Sequence, residues 1–182
     1  MNATRDTGPT LSARQQAMAP VAALAASGDI ERLRPALERG LDAGLTINDA
    51  KEILVQVYAY AGFPRSLNAL GELKTVVEAR QARGVKDDEG RTPSRAAPQG
   101  AALLAAGTAN QTRLSGAPVK GALFEFAPAI DEFLKTHLFG DIFERDNLDW
   151  QRREIAILSC WPQCVVSSRN CSRTSGSPRI PA

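Results

Sequence analysis

Apolar residues recur at helical spacing through the first half of the chain. In LSARQQAMAPVAALAASGD, Ser12 stands as an N-cap before a run that continues to about Ala26, and Gly28 closes it. Asp29 caps the next stretch, where Ile30, Leu33, Leu37 and Leu41 fall on one face ahead of Gly44. Pro20 and Pro35 each remove a backbone donor inside these stretches, so each is expected to kink its helix or delay its start. In TINDAKEILVQVYAYAG, Thr46 and Asp49 have capping-box spacing, and Ile47, Ala50, Leu54, Val57 and Ala61 share a face. Gly62 breaks this helix and Pro64 opens a fourth, with Leu67, Leu70, Leu73 or Lys74, and Val77 on a helical period. Residues 11–83 therefore read as a compact unit of antiparallel helices, preceded by a disordered segment over 1–10.

The pattern changes over 84–121, where Gly and Pro punctuate a linker with one short helix around Ala101 to Ala106. So long a connection is expected to wrap over a neighbour or cross to a partner subunit. From 122 to 160 helical spacing returns, with Ile130, Phe133, Leu134 and Leu138 on one face and a last helix capped by Asp149. Leu148 and Asp149 match Leu11 and Ser12, each pair followed by a polar turn and an apolar run, which suggests an internal repeat with a partial second copy. The tail 161–182, rich in Ser, Arg, Cys and Pro, breaks the pattern. It is expected to be disordered or out of frame, because a one-nucleotide slip after Cys160 permits codons that restore an apolar helix end and a second helix carrying a His.

Composition narrows the class. Apolar residues form 43% of the chain and aromatic ones 5%, a balance that favours closely packed helices over β-branched strands, so the fold class is all-α. The net charge of +2 is spread without a basic block, which argues against nucleic acid. The polar start, Met1 to Asp6, supports neither a signal peptide nor a membrane span, and a cytoplasmic location is expected. Cys160, Cys164 and Cys171 all lie late in the chain, so the earlier residues offer no thiol chemistry. The spacing of Cys160 and Cys164, with Pro162 between them, fits neither a redox pair nor a zinc signature, and GTANQTRLSG lacks the Lys and Ser/Thr of a phosphate loop. No metal or cofactor is expected.

The stretches GLTINDAKEILVQVYAYAGFPRSLNAL and FLKTHLFGDIFERDNLDWQRREIAIL, with the linker GVKDDEGRTPSRAAP, resemble the carboxymuconolactone decarboxylase family of the AhpD-like superfamily. The resemblance covers roughly Leu11 to Ser159. It implies an all-helical, AhpD-like fold of antiparallel helices with a complete first copy and a truncated or frame-shifted second, homo-oligomeric assembly through helical interfaces, and a small-molecule substrate. It also implies action on a small carboxylated lactone or related ring acid, as in aromatic catabolism. The redox members of the superfamily use a Cys-x-x-Cys pair, absent from the first copy here, which disfavours peroxidase or disulfide activity. A catalytically silent helical ligand-binding or assembly protein is a further alternative. The family glutamate falls on Glu52 and the aromatic residue after it on Tyr58 or Tyr60, while Ala36 stands where the family often carries a His.

Five residues are candidates for a site. Glu52, at the edge of its apolar stripe, is expected to be drawn into an apolar cavity that raises its pKa for proton transfer; the alternative is an exposed Glu beside Lys51. His137 is the single His and either exchanges protons near neutral pH or holds a structural hydrogen bond. Tyr58 and Tyr60 either line a substrate pocket or pack on a partner subunit. Arg65 is placed to meet a substrate carboxylate, with Arg152 and Arg153 offering the same from the second copy, or all three are surface and interface charges.

Overall fold

The computed structural model describes residues 10–171, with side chains through Trp161. In chain order the elements are α1 (Ala13–Ser27), α2 (Ile30–Asp42), α3 (Ile47–Ala61), α4 (Phe63–Ala82), α5 (Ala101–Ser115), α6 (Ala122–Phe126), α7 (Pro128–Phe133), a π-helical segment (Leu134–Ile142) and α8 (Trp150–Cys171).

Every described element is helical, and no strand occurs among the described residues. The expected disorder of 1–10 and the reading of the tail fall largely outside the described residues.

Local signals place the helix ends. Ser12 Oγ accepts from the Gln15 amide at 3.2 Å while Gln15 Oε1 accepts from the Ser12 amide at 3.0 Å, closing a capping box at α1. Thr46 and Asp49 make the same reciprocal pair at α3, both bonds at 3.0 Å. Gly28 ends α1 at φ 74°, a left-handed conformation that a side chain would strain, and its amide bonds back to Leu24 and Ala25. Pro20 and Pro35 lie inside unbroken helices rather than at their starts, each leaving its helix one donor short. The helix expected around Ala101 to Ala106 runs on to Ser115.

Helices α1 to α4 pack around a core of Met18, Val21, Leu33, Leu37, Ile53, Leu54 and Val57, all essentially without exposed surface. Each such Leu or Ile contributes roughly 1.5–3 kcal/mol through burial. The four helices do not close this core alone. Leu148, Ala156 and Cys160 belong to the same cluster, and α8 packs against both α1 and α3. The stripe of α8 thus has a partner within the chain.

Two expected faces are rotated. In α4, Leu67 is exposed, and the core side runs through Ser66, Ala69, Leu73, Val76 and Arg80. Polar groups can turn inward there because Ser66 Oγ donates to the Leu54 carbonyl at 2.8 Å and Arg80 is paired with Asp87 and Asp42. In the second half, Ile130 and Phe133 are exposed, and the helical pattern over 128–142 divides into α7 and the π-helical segment.

The first part of the Gly/Pro-rich connection lies along its own chain. The Ile47 and Asn48 amides, at the open end of α3, donate to the Asp88 and Glu89 carbonyls, each at 2.9 Å. Further on, Arg91 Nη2 donates to the Asp146 carbonyl at 3.0 Å, and the Ser94 amide donates to Asp146 Oδ1 at 2.7 Å. This strap links the start of α3 to the loop that leads into α8.

Candidate functional site

Asp49 caps α3 from inside its first turn, and one residue short of a full turn later the helix turns Glu52 toward that loop, with 1% of its surface exposed. Four donors from three side chains converge on its carboxylate. Arg145 Nε lies 2.8 Å from Oε1, Arg145 Nη2 3.0 Å from Oε2, Asn147 Nδ2 3.0 Å from Oε2, and Arg153 Nη2 2.8 Å from Oε1. Arg153, fully buried, also donates Nη1 to Gln56 Oε1 at 3.0 Å and Nη2 to the Arg145 carbonyl at 2.7 Å. The network ties α3 to α8 and to the loop between them.

Burial opposes ionisation of Glu52, but the hydrogen bonds from Arg145, Arg153 and Asn147 and the charge of Arg153 together hold its carboxyl below the ordinary value. This departs from the expected upward shift. An apolar cavity would raise the pKa; the side chain meets two guanidinium groups instead. Burial likewise lowers the pKa of Arg153, offset in part by Glu52, whereas the bonds to Glu52 raise that of Arg145.

Arg145 has a second face. It lines an open polar cleft of about 430 Å³ together with Arg95, Arg113, Phe143, Leu148 and Trp150. Its Nη1 makes no hydrogen bond among the described residues. Arg113 lies 4.3 Å above the centre of the Trp150 ring, and no carboxylate pairs with it among the described residues. Glu144, Asp146 and Asp149 also line the cleft, but each is engaged. Glu144 accepts from Arg95 at 3.2 Å and Asn110 at 2.8 Å, Asp146 accepts from Ser94, and Asp149 caps α8 through the Arg152 amide at 2.8 Å. Arg113 and Arg145, with Arg95 held to Glu144 through one nitrogen beside them, leave guanidinium donors on the cleft, which suits a small anion carrying a flat ring.

The residues singled out in the sequence are not gathered in one place. Glu52 stands behind Arg145, with no exposed carboxylate edge. Tyr58 stacks near Phe63, centroids 4.1 Å apart, and meets the His137 ring edge-on at 5.4 Å. His137 Nδ1 lies 3.0 Å from Asp141 Oδ2 within the π-helical segment. Arg65 Nη1 donates to the Ser27 carbonyl at 2.5 Å, closing the carboxyl end of α1. Tyr60 lines a different cleft with Glu154. Arg152 pairs with Asp149 at 3.4 Å, and Arg153 is internal rather than presented to a ligand. Cys160 is buried with Sγ 3.7 Å from the Ala22 carbonyl; the side chains of Cys164 and Cys171 lie outside those described. Arg113, Arg145 and Asn147 escaped the sequence reading. For Arg145 and Asn147 the charged run ERDNLDWQRR around the Asp149 cap was the available signal, since so many charges beside an apolar helix imply partners; Arg113 in α5 had none.

Residues 1–75 match the model of the carboxymuconolactone decarboxylase family. The match spans less than half of the chain, and the all-helical architecture of the described residues agrees with it. It covers α1 to α3 and much of α4, including Glu52, whereas Arg113, Arg145 and Arg153 lie beyond it. No curated protein matches the chain significantly. Among the described residues, no group of three or more His, Cys, Asp or Glu side chains is arranged to hold a metal ion, and no helix is long and apolar enough to cross a membrane.

Proposed function

We propose that the chain binds a small carboxylated ring acid in the cleft over Arg145 and acts on it in the manner of the carboxymuconolactone decarboxylases, releasing carbon dioxide from a carboxylated lactone. The observation that carries this reading is the placement of Arg113 and Arg145 on one cleft, beside Trp150, with the neighbouring acids engaged elsewhere. A substrate carboxylate pairs with one guanidinium, and the ring lies along the aromatic wall. Cleavage of the bond to carbon dioxide leaves its electron pair on the lactone as a dienolate, whose oxygen the second guanidinium stabilises. The proton that returns to carbon comes from water in the open cleft. Glu52 serves as the fixed counter-charge that orients Arg145, because a carboxylate held ionised by two arginines is a poor proton donor at neutral pH.

Homo-oligomeric assembly belongs to the same proposal, and the exposed Leu123, Phe126, Ile130 and Phe133 support it as apolar surface suited to a helical interface. The saturation of Glu52 favours one alternative: the protein holds such an acid without turning it over. Peroxidase activity remains disfavoured, because no Cys-x-x-Cys occurs anywhere in the sequence.

The test pairs calorimetric binding with a carbon dioxide assay on carboxymuconolactone and related acids, using the wild type and Arg113→Ala. Binding and release by the wild type, both weakened in the variant, support the proposal. Binding without release selects the silent alternative, and absence of both overturns the site.

A further inference from the structure

A second cleft, of about 400 Å³, opens on the other side of Phe143. Phe143 lines both clefts, but their chemistry is opposite. The walls of the second are Leu134, Leu138 and Phe139 from the π-helical segment, Ile157 and Trp161 from α8, and Leu114 from α5. Tyr60, Gln111 and Glu154 bring polar tips to it, and no Lys, Arg or His lines it among the described residues. Its volume lies in the range of small-molecule sites, about 300–1,000 Å³, and its mostly apolar wall with a few polar groups is the usual composition of such sites.

We infer that this cleft is a binding site for a neutral aromatic ring bearing one hydroxyl group, a small phenol, and that it is separate from the acid site over Arg145. The charge of the lining decides the ligand class. Among the described residues Glu154 is the only ionisable acid there apart from the Tyr60 phenol, and with no cation among them on the wall an anionic ligand would be desolvated without a counter-charge. A neutral ring loses little on entering and buries its faces against Leu138, Phe139 and Trp161. Its hydroxyl can donate to the Glu154 carboxylate or the Gln111 side-chain oxygen and accept from the Gln111 amide. Tyr60 remains a phenol at neutral pH, since burial and then the Glu154 and Cys160 charges push its pKa up to about 12. Burial also raises that of Glu154. Both shifts make the cleft less anionic and agree with the geometry.

The experiment is saturation-transfer NMR with p-cresol and with benzoate on the full chain, in the wild type, Leu138→Trp and Arg113→Ala. Leu138→Trp fills the cleft, and its fold is checked by circular dichroism and its urea midpoint. Saturable p-cresol binding is expected in the wild type and in Arg113→Ala, weakened at least tenfold in Leu138→Trp, with benzoate unaffected by Leu138→Trp. If that variant does not fold, p-cresol quenching of tryptophan emission, present in the wild type and lost in Trp161→Phe, reads the same site. No p-cresol binding, binding that Leu138→Trp or Trp161→Phe leaves unchanged, or dependence on Arg113 overturns the inference. Failure of the acid site shows separately, in benzoate binding that does not respond to Arg113→Ala.

Discussion

Arg153, with no exposed surface, donates Nη2 to Glu52 Oε1 at 2.8 Å and so places a guanidinium between α3 and α8 inside the core. Removing one member of a buried pair strands the other charge, which costs about 3–5 kcal/mol. Glu52→Gln is therefore expected to lose stability of that order, read as a lower urea midpoint at unchanged m. A change below about 0.5 kcal/mol, the scale of ordinary surface substitutions, would show that the pair is not closed in solution.

The same carboxylate makes stability depend on acid. Its folded pKa is depressed, so its contribution is fully present above the ordinary glutamate value of 4.5 and is lost as pH falls through the lower folded value. Urea midpoints measured from neutral pH downward should fall below pH 4.5 more steeply for the wild type than for Glu52→Gln. Parallel curves would contradict the assignment.

Gly107 in α5 meets the π-helical segment so closely that an added Cβ would lie 1.7 Å from the Lys135 carbonyl oxygen, a backbone atom that cannot rotate away. A helical Gly→Ala change ordinarily stabilises by roughly 0.5–1 kcal/mol. Here the sign should reverse, with Gly107→Ala losing about 1–3 kcal/mol through overpacking. Gly71 in α4 has nothing within 4 Å of the added carbon, so Gly71→Ala should keep the ordinary sign. Thermal melts of the two variants compare them directly.

Tyr60 ionises late. Its raised folded pKa gives a contribution present below the ordinary value of 10 and lost as pH rises through about 12. The difference in phenolate absorbance between the wild type and Tyr60→Phe should therefore appear near pH 12, within about a unit, while the fold persists. A difference already half developed at pH 10 would place the ring in solvent.

Helix identity was legible because its signals are local. Ser12, Asp29, Thr46 and Asp149 all cap where their spacing places them, since a cap needs only the next three residues. The inward face of α4 was not legible: Ser66 and Arg80 point inward only because Leu54, Asp42 and Asp87, all outside α4, meet them. The site was divided the same way. Glu52 stood out through its position on α3, yet its electrostatics depend on Arg145, Asn147 and Arg153, more than ninety residues away. No periodicity within α3 encodes those partners, so the direction of its pKa could not be read from the helix alone.

The most direct test of the acid site is calorimetric titration of carboxymuconolactone and its methyl esters into the wild type and Arg113→Ala. A charged hydrogen bond to the carboxylate, worth about 1.5–3 kcal/mol, predicts that the acid binds at least tenfold more tightly than the esters and loses most of that margin in the variant. Equal affinity for acid and ester, or an advantage that survives loss of Arg113, would contradict it.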